Sequence, residues 1–345
     1  MTVAVVICCY TRARLSDTVA AIESSRAQEP APRVIVVVDH NPDLLDLLAG
    51  RYPDLTVTPN RFARGLSGAR NTGIAESVED VVAFLDDDAV AQAGWLAAIG
   101  AEFEDEAVVA VGGHIAPAWD VVRPPWFPAE FDWVIGCSYV GMPSTRTIVR
   151  NVIGANMAFR RPTLAAVGGF GAELGRVGAN AAGCEETELC IRAARRTGGT
   201  VIYQPAARVR HRVTPDRARL AYFVRRCVAE GRSKAIVMRM HPGGARLGVE
   251  GSYAVRTLGR GVGRGVRDAV RHRRGAPLLR SAAMVLGLVC TGAGFVAEGV
   301  RGAICGLVGH APRPPRSQDL SAPISSTGRY RGQSPGQSAQ SVPRL

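Results

Sequence analysis

The stretch Val81-Val82-Ala83-Phe84-Leu85-Asp86-Asp87-Asp88 decides the fold. Five apolar residues run unbroken into three aspartates. A short continuous apolar run with β-branched content reads as a strand buried on both faces, as in a parallel sheet. Working outward, the run Val3–Cys9 is a second such strand, residues 34–38 a third that ends in Asp39, and residues 55–58 a shorter fourth. Helical patterns fall between them at residues 16–27, 44–48 and 67–77. This alternation predicts an α/β fold, a Rossmann-like, mostly parallel sheet flanked by helices. Ligands of such sheets bind at the carboxyl ends of the strands. Asp39 and Asp86-Asp87-Asp88 occupy such ends, so one crevice is expected to collect them.

Each candidate residue admits a chemical and a plain structural reading. Three carboxylates at a strand tip repel one another, and a divalent cation relieves that repulsion. Hard ions such as Mg²⁺ or Mn²⁺ suit oxygen ligands and keep positions open for phosphate. The plain reading is an acidic turn before the next helix. Asp39 is placed to accept hydrogen bonds from a base or ribose, yet Asp39-His40-Asn41-Pro42 also reads as a helix cap. Residues 64–73, Arg-Gly-Leu-Ser-Gly-Ala-Arg-Asn-Thr-Gly, form a glycine-spaced loop entering a helix. Backbone amides there, with Gly68, Arg70 and Asn71, can approach a nucleotide. The loop is not a Walker motif, because no Gly-Lys-Ser/Thr follows. Glu185 and Glu186 open a helix from 185 to 197, where a carboxylate serves either as general base or as complement to the helix dipole. His211, at the end of an extended stretch, is either a metal ligand or a polar strand terminus.

The chain has 345 residues and a net charge of +12. The charge is concentrated: between Arg208 and Arg280 there are 19 Lys/Arg against 4 Asp/Glu, which leaves the remainder slightly acidic. Such a block points to an anionic partner. It lacks the interleaved aromatics of single-strand binders, so lipid is expected rather than nucleic acid. None of the 8 cysteines forms a Cys-x-x-Cys pair. Buried thiols in a reducing compartment are expected, not a zinc cluster. The first apolar run is too short for a signal peptide and lacks a basic segment before it.

Residues 117–143 are rich in Pro and Trp and read as an irregular connection. Beyond residue 240, Val255, Leu258, Val262, Val266 and Val270 recur at helical spacing. Arg256, Arg260, Arg264, Arg267 and Arg271 do the same on another face. That is a basic amphipathic helix of the kind that lies on a membrane, although Gly259, Gly261, Gly263 and Gly265 weaken it. Residues 281–297 carry no charge and read either as membrane-embedded or membrane-docked, or as a buried apolar hairpin. The expected organisation is a domain over 1–240 with a nucleotide-binding half (1–115) and an acceptor half (116–240). A membrane-associating segment (241–309) and a disordered tail (310–345) follow.

The order and spacing of several pieces resemble the family 2 glycosyltransferases, of GT-A fold. These are Val-Val-Ile-Cys-Cys-Tyr-Thr-Arg (5–12), Val-Val-Val-Asp (36–39), Gly-Leu-Ser-Gly-Ala-Arg-Asn-Thr-Gly (65–73) and Phe-Leu-Asp-Asp-Asp (84–88). Next come Gly-Ala-Asn-Met-Ala-Phe-Arg-Arg (154–161), Gly-Gly-Phe (168–170), Cys-Glu-Glu-Thr-Glu-Leu (184–189) and His211. The resemblance covers roughly residues 1–235. It implies that Thr11, Arg12, Asp39, Gly68, Arg70, Asn71, Asp86 and Asp87 border the donor nucleotide. It implies further that Asp88 and His211 hold Mg²⁺ or Mn²⁺, and that Glu186 is the catalytic base. The family has Glu-Asp where this chain has Glu185-Glu186, which leaves the choice between the two glutamates open. The implied reaction is an inverting transfer from a nucleotide sugar, with a UDP-sugar expected, to a hydroxyl acceptor. Residues 126–139 resemble more narrowly the glucosyl-dolichyl-phosphate glucuronosyltransferases, which implies a polyprenyl-phosphate-linked acceptor at the cytoplasmic face of a membrane. The competing readings are a nucleotidyltransferase that makes nucleotide sugars and a non-catalytic anionic-lipid-binding protein.

Overall fold

Strands β1 (Val3–Cys9), β2 (Arg33–Val38), β3 (Thr56–Pro59) and β4 (Val81–Asp86) pair in parallel in the order β3-β2-β1-β4. The computed structural model describes residues 1–171, 174–175, 183–241, 253–272 and 275–307. The expected fourth tail segment, 310–345, lies outside them. Helices α1 (Leu15–Arg26), α2 (Pro42–Arg51) and α3 (Leu66–Glu76) form the crossovers. All five apolar residues of the deciding stretch are buried, because helices cover both faces of the sheet. Asn41 caps α2 by accepting from the Leu44 amide at 3.1 Å, with Pro42 at the first helical position. Asp39 is therefore released from the capping role that the sequence also allowed.

The rest of the sheet is mixed. β5 (Ala89–Ala91), α4 (Trp95–Glu102) and β6 (Val108–Trp119) follow β4, then β7 (Thr147–Val149), β8 (Asn156–Arg160) and α5 (Arg161–Val167). α6 (Glu185–Thr197), β9 (Thr200–Val213) and α7 (Leu220–Met240) complete the first 240 residues. β8 inserts between β4 and β6, antiparallel to both, and β9 runs parallel to β6. The sheet thus reads β3-β2-β1-β4-β8-β6-β9-β5, with β7 on β9. The extended stretch expected to end at His211 belongs to one long strand, β9, whose pairing with β6 is interrupted by a register shift at Gly113 and His114. The region 117–143, expected to be irregular, gives its first residues to β6 and contains a 3-10 segment, Ala129–Ile135. Phe127, Phe131 and Phe223 stack around that segment, with Trp126 against Phe127 and Phe223.

Two helices close the described chain, α8 (Gly259–His272) and α9 (Gly275–Leu307). Two of the four glycines that weakened α8 in the sequence, Gly261 and Gly265, have a packing reason, while Gly259 and Gly263 face open space. A Cβ at Gly261 would lie 2.9 Å from the Met284 sulfur, and one at Gly265 would meet Pro277 and Ser281. Glycine lets α8 and α9 pack closely as an antiparallel pair, and that packing offsets its poor helix propensity. α9 in turn lies along α7, where Gly231 faces the Thr291 backbone and Gly294 faces Val228. Residues 281–297 are therefore half covered: Ser281, Met284, Gly287 and Gly294 are buried, while Val285, Val289 and Val296 are exposed.

Candidate active site

The parallel register aligns the carboxyl ends of three strands. Cys8 lies opposite both Asp86 and Val37, which puts the β2 and β4 tips on either side of β1. Asp39 and the aspartate run thus lie at the same edge of the sheet, on either side of the β1 tip. Asp39 Oδ1 accepts from Asn60 Nδ2 at 2.7 Å and contacts His40 Nδ1 at 2.8 Å. Its Oδ2 accepts from the Gly65 amide at 3.0 Å. Asp39 thereby shapes the loop before α3.

That loop explains several residues of the glycine-spaced motif. Gly68 is required because a Cβ there would strike the Ala63 carbonyl oxygen. Asn71 is fully buried and grips the Phe170 backbone, donating to its carbonyl at 2.9 Å and accepting from its amide at 2.8 Å. Arg70 is buried too. Its guanidinium donates to Glu185 Oε1 at 2.9 Å, to Asp86 Oδ1 at 3.2 Å and to the Gly154 carbonyl at 3.1 Å. The ring of Phe170 lies 5.2 Å from it. Arg70 therefore ties the β4 tip to the first turn of α6. Burial opposes its charge, but the adjacent Asp86 and Glu185 side chains outweigh that and raise its pKa.

The three aspartates diverge in environment. Asp88 is buried, with Oδ1 3.0 Å from His211 Nε2 and Oδ2 2.8 Å from Arg217 and 3.3 Å from Arg14. Burial opposes its ionisation, but His211, Arg217 and Arg14 outweigh that and hold its carboxyl well below the usual range. Asp87 is buried, and its Oδ1 accepts from Arg14 at 3.0 Å, while Oδ2 has no protein partner. Burial, then the Asp88 charge, push its carboxyl up to about 7. Asp86 is the most open of the three and faces Arg70.

His211 reaches Asp88 because of strand pairing. β5 runs antiparallel to β9 with Ala89 opposite His211, and the Arg212 amide donates to the Asp88 carbonyl at 2.8 Å. One ligand atom from each of Asp86, Asp88 and His211 lies within 4.8 Å of the others. Two carboxylates and an imidazole at that spacing fit a divalent cation of the Mn²⁺ or Mg²⁺ type.

Glu185 and Glu186 are separated by their partners. Glu185 is buried and paired with Arg70, with Oε2 left unpartnered. Burial, followed by the neighbouring Glu185 charge, pushes Glu186 up to about 8. Cys184 precedes them at φ 68°, a left-handed turn that starts α6 so that both carboxylates fall in its first turn.

Of the residues expected after β1, Thr11 caps a short 3-10 turn by accepting from the Ala13 amide at 3.3 Å. Arg12 is exposed, and Arg14 is the cation that reaches the aspartates. Arg14 and Arg217 were not among the expected site residues. The signal available in the sequence was electrostatic: three carboxylates at a buried strand's tip demand nearby cations, but not from a foreseeable position.

Parallel β3-β2-β1-β4 with carboxylates at the strand tips, an antiparallel β8 and an acidic helix start define a nucleotide-sugar-type GT-A fold. The glycosyl transferase family 2 model matches residues 4–168. A glucosyl-dolichyl phosphate glucuronosyltransferase of Haloferax volcanii is 34% identical over 247 residues, covering 70% of this chain and 79% of that protein. The chain belongs to glycosyltransferase family 2 and is a glycosyltransferase. A pre-mycofactocin glycosyltransferase of Mycobacterium tuberculosis is 28% identical, covering 67% of this chain and 49% of that protein. The mannosyltransferase PcManGT of Pyrobaculum calidifontis, solved with GDP-Man and Mn²⁺, shares the fold. Its TM-score is 0.53 at 20% identity, over 87% of this chain and 86% of that one.

Proposed function

We propose that this enzyme is an inverting, divalent-metal-dependent transferase. It moves a sugar from a nucleotide donor, with a UDP-sugar expected, to a hydroxyl of a polyprenyl-phosphate-linked or other cell-envelope glycan. The observation that carries this reading is the meeting of Asp86, Asp88 and His211 at one strand edge, tied through Arg70 to the helix that starts with Glu185 and Glu186. Asp88 and His211, with Asp86, would hold Mg²⁺ or Mn²⁺. When bound, the cation supplies charge neutralisation to a departing diphosphate.

The protein groups have distinct tasks. Asp39 accepts from the base or ribose, next to Thr11 and Arg12. Gly68 and Asn71 act on the donor through the shape of the loop they pack. Asp87 and Arg14 line the diphosphate end. Glu185 pairs with Arg70 and positions the first turn of α6. Glu186 is the base, because burial and Glu185 push its carboxyl up to about 8 and no cation among the described residues pairs with it. Glu186 takes the proton from the acceptor hydroxyl as that oxygen attacks the anomeric carbon from the face opposite the leaving group. No covalent enzyme intermediate is needed. The lipid-linked acceptor and a place at the membrane are supported by the Haloferax relative's name and by apolar α9, and the cytoplasmic face is part of the same proposal.

The test is a thermal-shift screen of nucleotide sugars with Mn²⁺, followed by transfer assays with the stabilising donor. Donor stabilisation that needs Mn²⁺ in the native chain and vanishes in Asp88→Ala supports the reading. Undiminished transfer by Asp88→Ala would end it.

A further inference from the structure

α9 has two faces with opposite destinations. Along one face it is joined to the catalytic part over almost its whole length. Arg280 donates to the Pro125 carbonyl at 2.9 Å, and Gly287 sits against the Phe131 ring. Gly294 lies on the Val228 backbone, and Arg239 binds Glu298 at 2.7 Å. Along the other face Leu278, Leu279, Val285, Leu288, Val289 and Val296 are exposed, and Val300 and Ile304 continue the row. Within Gly275–Ile304 the most apolar 18-residue window has a mean hydropathy of 1.7, yet only 28% of it is buried. From Leu278 to Ile304 the row is roughly 39 Å long at 1.5 Å per residue.

Length and composition alone would let α9 cross a bilayer. The packing argues against it. Crossing would either strip α9 from α7 or draw α7 into hydrocarbon with it, together with exposed Arg225 and Arg232. A charged side chain at the bilayer centre is costly. The neighbouring α8 adds exposed Arg260, Arg264, Arg267 and Arg271 and an exposed pair of valines, Val266 and Val270. Apolar side chains bordered by arginines are the composition of a helix that lies in the headgroup layer. A two-fold contact between copies of this chain would set the same arginine-rich patch against itself, which like charge opposes.

We infer that the α8–α9 pair seats this enzyme in the plane of one leaflet of an anionic membrane, without crossing it. The exposed row of α9 enters the acyl boundary and the α8 arginines meet lipid phosphates. This deepens the membrane part of the proposed function and rests on that reading only for the acceptor. A short segment links the seat to the donor site. Glu130 pairs with Arg264 at 3.6 Å and Phe131 meets Gly287, while a few residues on Cys137 lies 3.8 Å from His211 Nδ1. An acceptor whose phosphate stays in the headgroup layer thus has the 130–137 segment as its border.

The experiment uses the full chain, floated with vesicles of phosphatidylcholine alone or mixed with phosphatidylglycerol. Binding is expected only with the anionic mixture, and alkaline carbonate is expected to release the protein. Arg260→Ala and Arg267→Ala should each weaken binding about fivefold. Val289→Asp with Val296→Asp should abolish flotation and leave Mn²⁺-dependent donor binding intact. Donor binding without vesicles reports on the transferase reading separately. Carbonate-resistant protein would overturn the inference in favour of a span. It would be overturned equally if native protein failed to float and the valine double variant turned a dimer into a monomer in light scattering. Unchanged flotation of both arginine variants would remove the anionic-lipid part.

Discussion

Replacing Glu186 with glutamine should raise stability while it destroys transfer. The reason is the shift of its carboxyl from the usual 4.5 up to about 8 by burial and by Glu185. Below pH 4.5 the folded and unfolded chains both carry the proton. Between 4.5 and about 8 the unfolded chain releases a proton that the folded chain keeps, so stability falls as pH rises. Above that range the whole cost is present. The full gap corresponds to a ceiling of about 5 kcal/mol at 1.36 kcal/mol per pH unit. Glu186 keeps partial solvent contact, and screening reduces the expected cost to about 2 kcal/mol. Glu186→Gln abolishes the ionisation, so its Tm should match the native enzyme near pH 5 and exceed it by ~5 °C near pH 8. Differential scanning calorimetry across that range measures both. Transfer should fall by about 10²–10⁴-fold with donor binding unchanged, as for loss of a general base. A Tm difference independent of pH would refute the burial argument. Native transfer rates in Glu186→Gln would refute the base assignment.

Glu185→Gln is expected to act with the opposite sign on stability, lowering it by about 3 kcal/mol, because buried Arg70 loses a charged partner; chemical denaturation reads this directly. Arg217→Gln should strengthen Mn²⁺ binding in the absence of nucleotide about tenfold, since Arg217 competes for Asp88 Oδ2. Isothermal titration calorimetry with Mn²⁺ measures it, and weaker Mn²⁺ binding would count against that competition. Asp88→Asn should remove the stabilisation that donor plus Mn²⁺ confers, about 2.7 kcal/mol at a donor concentration 100 times Kd; thermal shift with and without EDTA distinguishes this from a general loss of stability. Gly231→Val places a side chain against the Thr291 carbonyl. It should cost about 1–3 kcal/mol and expose α9 to limited proteolysis while donor binding persists.

Residues 1–90 were legible because each buried strand is a local pattern, an unbroken apolar run that ends in a charge. Asp39 and Asp86–Asp88 followed from the rule that strand tips of a parallel sheet share a crevice. Glu185 at the start of α6 was legible from its acidic first turn. β6 and α7 were not, because β6 continues into a Pro- and Trp-containing stretch and α7 mixes charges with apolar residues around its circumference. The choice between Glu185 and Glu186 also lay outside the sequence. Adjacent glutamates look alike until one finds a buried arginine, and Arg70 comes from a helix 115 residues earlier.

The sequence by itself determined the carboxylates, the parallel half of the sheet and the apolar and basic character of α8 and α9. These are local properties, set by side-chain type and spacing. The tertiary structure decided which cations face the aspartates, which glutamate pairs with Arg70 and which face of α9 is left exposed. Each of these depends on long-range pairing: the β5–β9 register that brings His211 to Asp88, the reach of Arg70 across to α6, and the glycine contacts that fix α9 on α7. Spacing along the chain does not encode such pairings, because they arise only once the sheet has closed and the helices have packed.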